Sequence, residues 1–190
     1  SIRVFVGRKN SKAISENVGK LLRLEEENGI YKKNILEDFS RKVREHRKEF
    51  VNMLMDLKNQ GKKIIGVTAP AKGNTLLNYC KIDGNIIDYM TEKSKLKPGH
   101  YTPGMHIPIV EEESVLNDKI DYGVIFAWNF ANEIVNNPIN RELRKKSTKF
   151  IKPIPEPVIM EDSEDLFGVQ IKKIDADFID ERGIISDLLN

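Results

Sequence analysis

The chain has 190 residues, 39% hydrophobic and 32% charged, with a formal net charge of +2. That length holds one domain with a real core and an appendage. The near balance of 31 basic and 29 acidic residues excludes a general electrostatic attraction to nucleic acid or to a membrane surface. No apolar run approaches the roughly 18 residues that a membrane span needs, and no signal-peptide pattern is read. The single Cys80 excludes an intramolecular disulfide and points to a reducing, cytoplasmic setting. Its place in an apolar helical run suits a small buried hydrophobe better than a nucleophile.

Residues 1–7 alternate Ile2, Val4 and Val6 with Arg3 and Phe5, which predicts a strand ended by Gly7. A chain that opens directly on a strand is expected to be a piece of something longer. Residues 11–28 have a helical pattern, with Ser11 as a cap and Asn28-Gly29 as a stop. A second, longer helix is predicted from Tyr31 to Asn59, on Ile35, Phe39, Val43, Phe50, Met53, Leu54 and Leu57. Its charged residues serve either as a partner or dimer surface or as a solvated face. His46 falls on its polar flank.

Beyond Gly61 the pattern alternates. Strands are predicted at Ile64–Val67, Ile86–Met90, Tyr122–Ala127 and Lys149–Ile151, with an edge segment at Ile107–Val110, where Pro108 suits an edge. Helices are predicted at Asn74–Cys80, from Ser114, at Asn129–Val135 and at Ile139–Lys146, with Pro138 between the last two. Strands alternating with helices imply an α/β fold with a parallel sheet and flanking helices, preceded here by the helical pair of residues 11–60. After Pro157 the character changes. An acidic run at 161–165 reads as a linker, and residues 168–190 alternate around a turn at Asp180–Gly183, giving a short C-terminal appendage over 158–190.

The stretch Thr68-Ala69-Pro70-Ala71-Lys72-Gly73-Asn74-Thr75 sits where a strand hands over to a helix. Backbone N–H groups without partners and the helix dipole favour anions there. Lys72 can supply a point charge to a phosphate. Gly73 lets a ligand approach the backbone, Asn74 and Thr75 can cap the helix or donate to a ligand, and Pro70 stiffens the turn. The bland alternative is a structural turn with Asn74 as an ordinary cap and Lys72 solvated. Asp88 has the spacing of the ribose-binding acid of dinucleotide folds, but the glycine fingerprint is missing, so NAD is a minor reading.

Three stretches carry more than spacing: "GVTAPAKGNTLLNYCKIDGNIIDYMTEKSKLKPGHYTPGMHIPI" (66–109), "DYGVIFAWNFANEI" (121–134) and "KFIKPIPEP" (149–157). Together they closely resemble the C-terminal domain of the sugar C-methyltransferases, enzymes that methylate a carbon of a nucleotide-linked keto-deoxysugar with S-adenosylmethionine. The resemblance covers residues 1–157. It implies a Rossmann-like domain that holds the sugar nucleotide, a dTDP sugar by expectation, against a central domain. It also implies that the zinc segment and the S-adenosylmethionine site belong to parts of the enzyme this chain lacks. No cofactor and no metal are therefore expected in this chain. Its partners would be the nucleotide sugar and the missing domains of the same polypeptide, with a homo-oligomer as a further option and no nucleic acid or membrane.

The resulting candidate substrate-binding residues are Ala69, Pro70, Lys72, Gly73, Asn74, Thr75, Glu92, His106 and Asn129. No catalytic residue is assigned. Glu92 follows the second predicted strand and either orients a sugar or ribose hydroxyl or caps a loop. His106 lies in the Pro/Gly-rich loop of His100, Tyr101, Pro103 and Gly104, and is either a ligand contact or a surface histidine. His100 stands where a basic residue is common in the family. Asn129 follows the third strand and caps a helix or meets ligand; its neighbour Trp128 reads as core or interface. The tail "GVQIKKIDADFIDERGIISDLLN" resembles the first strands of cupin-type sugar-nucleotide isomerases and epimerases. The alternative function is a non-catalytic Rossmann-like binding or assembly module in which the 66–75 loop is structural.

Overall fold

Adjacent residues of one strand feed two different cores. In β1 (Ile64–Val67), Ile64 packs into one apolar cluster, while Ile65 and Val67 pack into another on the opposite face. The same two-residue period recurs in β4 (Tyr122–Ile125), where Val124 and the following Phe126 take the first side and Ile125 the second. In β5 (Lys149–Lys152), Ile151 and Phe150 divide likewise. Strands buried on both faces read as continuous apolar runs, as here.

The computed structural model describes residues 3–160 and, beyond them, two short strands, Ile179–Asp180 and Gly183–Ile184. With β2 (Met90–Glu92), β3 (Ile109–Glu111) and β6 (Val158–Met160), the main sheet has six strands in the order β3-β2-β1-β4-β5-β6. All neighbours are parallel except β5 and β6, which pair antiparallel with Phe150 opposite Met160. The expected α/β architecture is therefore present, with one antiparallel edge that the sequence reading passed over. The pair β7 (Ile179–Asp180) and β8 (Gly183–Ile184) is antiparallel and flanks positions 181–182, where the turn was expected. The rest of the acidic run and tail lies outside the described residues, and so does the comparison of that tail with the cupin-type enzymes.

The helices are α1 (Glu16–Glu27), α2 (Lys33–Asn59), α3 (Ala71–Cys80), α4 (Ala131–Val135) and α5 (Pro138–Lys145). One face of the sheet is covered by α2 and α3, through Phe50, Leu54, Leu57, Leu76, Leu77 and Cys80. The other is covered by α4 and α5 and the 3-10 turn at Glu112–Asn117, through Ala131, Val135, Leu143 and Val115. Pro138 opens α5 rather than separating it from α4, since the first helical turn needs no N–H there.

Several predicted boundaries move for visible reasons. Residues 3–7 form no strand. They have no sheet partner among the described residues, and Val4, Phe5 and Val6 are 73%, 84% and 90% exposed. Ser15, not Ser11, caps α1 by accepting from the Asn17 N–H, while the Ser11 hydroxyl turns back to the Arg8 carbonyl. Ile86 and Ile87 belong to a turn, not a strand. The Asp83 carbonyl accepts from both their N–H groups, and Ile87 fills the core beneath it. β2 starts only at Met90, after Asp88 has been tied down. The Asp88 carboxylate accepts from Lys58 at 3.0 Å and from the Ile64 N–H at 3.1 Å.

Helix α2 is far longer than the strands it covers. Its C-terminal half is buried at Phe50, Leu54 and Leu57. His46 reaches the carbonyl of Pro153, just past the end of β5, with Nε2 at 2.5 Å. Residues 33–45 therefore project beyond the end of the sheet, about 20 Å of helix at ~1.5 Å per residue. Ile35, Leu36 and Phe39 are 40–66% exposed on that extension, and α1 buries no residue at all. A helix of that length is marginal in water without packing.

Two substitutions separate the halves of α2. Phe50→Ala is expected to cost about 3–5 kcal/mol by cavity formation, whereas Phe39→Ala should stay within about 0.5 kcal/mol. Urea unfolding of this chain followed by circular dichroism reads both; equal losses would mean the projecting half is packed in solution.

Candidate functional site at the switch point of the sheet

The strand order reverses between β1 and β4, so the connections leaving these two neighbours part to opposite sides. The carboxyl ends of parallel strands at such a reversal are the usual ligand position in sheets of this kind. The turn from β1 to α3 forms one side of this rim. The 3-10 turn Trp128–Phe130 that follows β4 forms the other.

The two sides meet at Lys72 and Trp128. The Lys72 ammonium lies 4.4 Å from the centroid of the indole ring, a cation–π contact. Among the described residues no carboxylate pairs with Lys72, so its charge stays available at the rim. Behind it, Gly73 is buried against β4. A Cβ there would stand 2.7 Å from the Phe126 Cβ, so the missing side chain serves the close approach of α3 to the sheet.

The helix begins earlier than its sequence suggested. Pro70 occupies the cap position and offers no side-chain hydrogen bond. Asn74 is consequently not a cap. Its N–H already donates to the Pro70 carbonyl, and its side-chain Oδ1 is buried without a partner. The Thr68 hydroxyl oxygen is likewise buried and unpartnered, and Thr68 itself is held at φ +66°. Ala69 and Pro70 are half-buried at the rim, while Thr75 is exposed on the second turn of α3.

Glu92 ends β2 on the same rim. Its Oε2 accepts from Lys97 at 2.7 Å and its Oε1 from the Ser94 N–H at 3.1 Å. Lys97 also donates to the Ala69 carbonyl at 2.9 Å, so it bridges the β2–β3 connection to the β1–α3 turn. Burial of Glu92 would raise its pKa, but hydrogen bonds from Lys97 and Ser94 outweigh this and hold it below the ordinary carboxylate value. A cleft of about 260 Å³ beside it runs between Glu92, Lys93, Lys95, Glu111 and Glu113, at the ends of β2 and β3.

Two expected residues stand apart or alone. His106 lies in the β2–β3 connection, but just before β3. Its N–H donates to the Thr102 carbonyl, and the neighbouring Pro108 carbonyl accepts from Met90, the first residue of β2. It is exposed near the starting ends of the strands and is not brought to the rim. Asn129 is on the rim, exposed in the 3-10 turn beside Phe130, and caps no helix. Asp88 lies at the starting end of β2 with Lys58, opposite the rim, which removes the acid on which the NAD reading leaned.

Sequence reasoning missed Lys97 and Asn78. The Asn78 side chain donates to the Asn74 and Pro103 carbonyls and so fixes the Pro/Gly-rich loop on α3. Lys97 was hidden in a run of exposed lysines, and only its contact with the Ala69 carbonyl sets it apart. Burial pushes the Cys80 thiol up to about 11 and leaves it unsuited to nucleophilic work. Among the described residues no three His, Cys, Asp or Glu side chains gather as a metal site. No helix among them is long and apolar enough to cross a membrane.

A mostly parallel sheet of this order with helices on both faces defines an α/β domain of the doubly wound kind. The sequence family described as the C-methyltransferase C-terminal domain matches residues 1–155, and the chain belongs to that family. It is 31% identical over 143 residues to the C-methyltransferase NovU of Streptomyces niveus, a match that takes in 75% of this chain and 34% of that protein. The chain thus spans about a third of the length of the curated relative.

The Glu92–Lys97 contact gives a pH prediction. A carboxylate with a depressed pKa adds stability above its unfolded value and loses it as pH falls through the folded value. Thermal unfolding between pH 7 and pH 3 should therefore narrow the gap between the parent chain and Glu92→Gln. A gap constant with pH would count against the pair.

Proposed function

We propose that this domain grips the diphosphate and sugar of a nucleotide-linked keto-deoxysugar, a dTDP sugar by expectation, for methylation at carbon. The observation that carries the reading is the unpaired Lys72 ammonium on Trp128, at the switch point of the sheet and beside the first turn of α3. A diphosphate needs cationic and N–H donors, and a sugar needs hydrogen-bonding groups at the same rim; Lys72, Glu92 and Asn129 offer these. Ala69, Pro70 and Gly73 shape the turn, and Thr75 and Asn74 flank it. His106 enters this reading only if ligand reaches well past the rim.

The chemistry proper is assigned to the part of the enzyme outside this chain. S-adenosylmethionine would supply the methyl group there. The contribution of this domain is orientation, which raises the effective concentration of the reacting carbon at the donor. On this reading the domain alone binds substrate and does not turn it over.

The same reading gives the exposed helical extension a role. Residues 33–45 of α2 project past the same end of the sheet that carries the rim, with Ile35, Leu36 and Phe39 exposed on them. The remainder of the methyltransferase would cover this face and close over the rim at once. The second reading, an assembly module, rests on the same exposed face. Sedimentation decides between them: a concentration-dependent dimer without ligand binding favours assembly.

The direct test is titration of the chain with a thymidine-diphosphate sugar, read by fluorescence of Trp128, the only tryptophan. Binding should change the emission, and Lys72→Ala should weaken it by about tenfold, the worth of one charge-assisted hydrogen bond. S-adenosylmethionine and NAD should leave the signal unchanged. Unaltered affinity in Lys72→Ala would sink the role given to this turn.

A further inference from the structure

Lys97 differs from the other lysines of its loop. Its ammonium is anchored twice, on the carboxylate of Glu92 and on the carbonyl of Ala69, and that carbonyl belongs to the turn that leads into α3. The Glu92 side chain is only 13% exposed, whereas the Lys97 side chain is 45% exposed. The carboxylate is therefore held inside the rim and the ammonium sits over it, toward solvent. An ammonium has three donors, and two are in use.

Charge arithmetic gives this arrangement a direction. A diphosphate diester carries about two negative charges at neutral pH, because each phosphoryl group keeps one strongly acidic oxygen. Lys72 supplies one positive charge without a carboxylate partner. Lys97 is the other ammonium bonded directly to this turn, and its charge is offset by Glu92 while no ligand is bound.

Resting on the nucleotide-sugar reading, we propose that Lys97 is the second cation of the diphosphate site, held by Glu92 and the Ala69 carbonyl in the free chain and shared with the ligand's phosphate when it binds. The Ala69 carbonyl keeps the ammonium at the turn throughout. Glu92 sets how much of its charge the ligand receives. The carboxylate thus lowers affinity for the doubly charged diphosphate, which needs the second ammonium.

The opposite effects of two substitutions test this. Inorganic diphosphate and a thymidine-diphosphate sugar are titrated into the chain, with Trp128 emission as the signal. The variants are Lys97→Met, Lys97→Arg and Glu92→Gln, each checked for an unchanged amide fingerprint by NMR. Lys97→Met should weaken both ligands by about tenfold, and Lys97→Arg should recover most of that loss. Glu92→Gln should tighten both by several-fold, because it keeps a hydrogen bond to Lys97 while removing the competing charge. If Glu92→Gln weakens binding as much as Lys97→Met does, the pair is only a brace for the turn and the proposal falls. Parent-level affinity in Lys97→Met overturns it while leaving the nucleotide-sugar reading intact. Failure of the parent chain to bind either ligand overturns both.

Discussion

The pairing of β1 with β4 is the contact on which the other parts depend. Four residues match in parallel register, from Ile64 against Tyr122 to Val67 against Ile125. That pairing sets the reversal of strand order, and the reversal sets the rim. It also carries Phe126 to the place where α3 must pass. Only a glycine at position 73 lets the helix settle there, since a Cβ would collide with the Phe126 side chain. The turn that carries Lys72 is therefore placed by packing in the core, not by the loop's own preferences. Its pre-set shape means that little ordering is left for a ligand to bring about.

Charge on the two ends of the sheet is handled differently. At the starting ends, Asp88 pairs with Lys58, Asp121 with Lys62, and Asp118 with Lys63. Tyr89 adds a hydroxyl to Asp118, and burial and that bond raise the phenol's pKa beyond any working range. These pairs close the bottom of the fold. At the rim, Lys72 is left with an aromatic face for company, and Lys97 is balanced by a single carboxylate. The two ends of the sheet thus differ in how their lysines are paired.

The class of fold was legible because apolar runs at Ile64–Val67, Tyr122–Ala127 and Lys149–Ile151 are too short and too evenly buried for helices. Elements defined by local chemistry were displaced. Ile86-Ile87 looked like strand, but Asp83 holds them in a turn that plugs the core, and periodicity cannot separate these cases. Val158–Met160 was passed over because two of its three residues face solvent on an edge, which removes the apolar signal. The Lys72 side of the rim could be read from residue types at a strand-to-helix junction. Lys97 could not, since its value comes from reaching a carbonyl 28 positions away. His106 illustrates the opposite error: following β2 in sequence did not mean lying at its carboxyl end, because the connection runs back along the sheet before β3 begins.

The antiparallel β6 has a consequence for how the domain is wired. A parallel last strand would release the chain at the rim, beside Trp128 and Lys72. Instead β6 runs the other way, and Met160 stands opposite Phe150, near the start of β5. The chain therefore quits the sheet at the end remote from the rim. Entry is also from that end, because α2 descends past His46 to Asn59 before β1 starts. Both covalent connections of the sheet are thus made on one pole, while at the opposite pole the rim is flanked by the projecting residues 33–45 of α2.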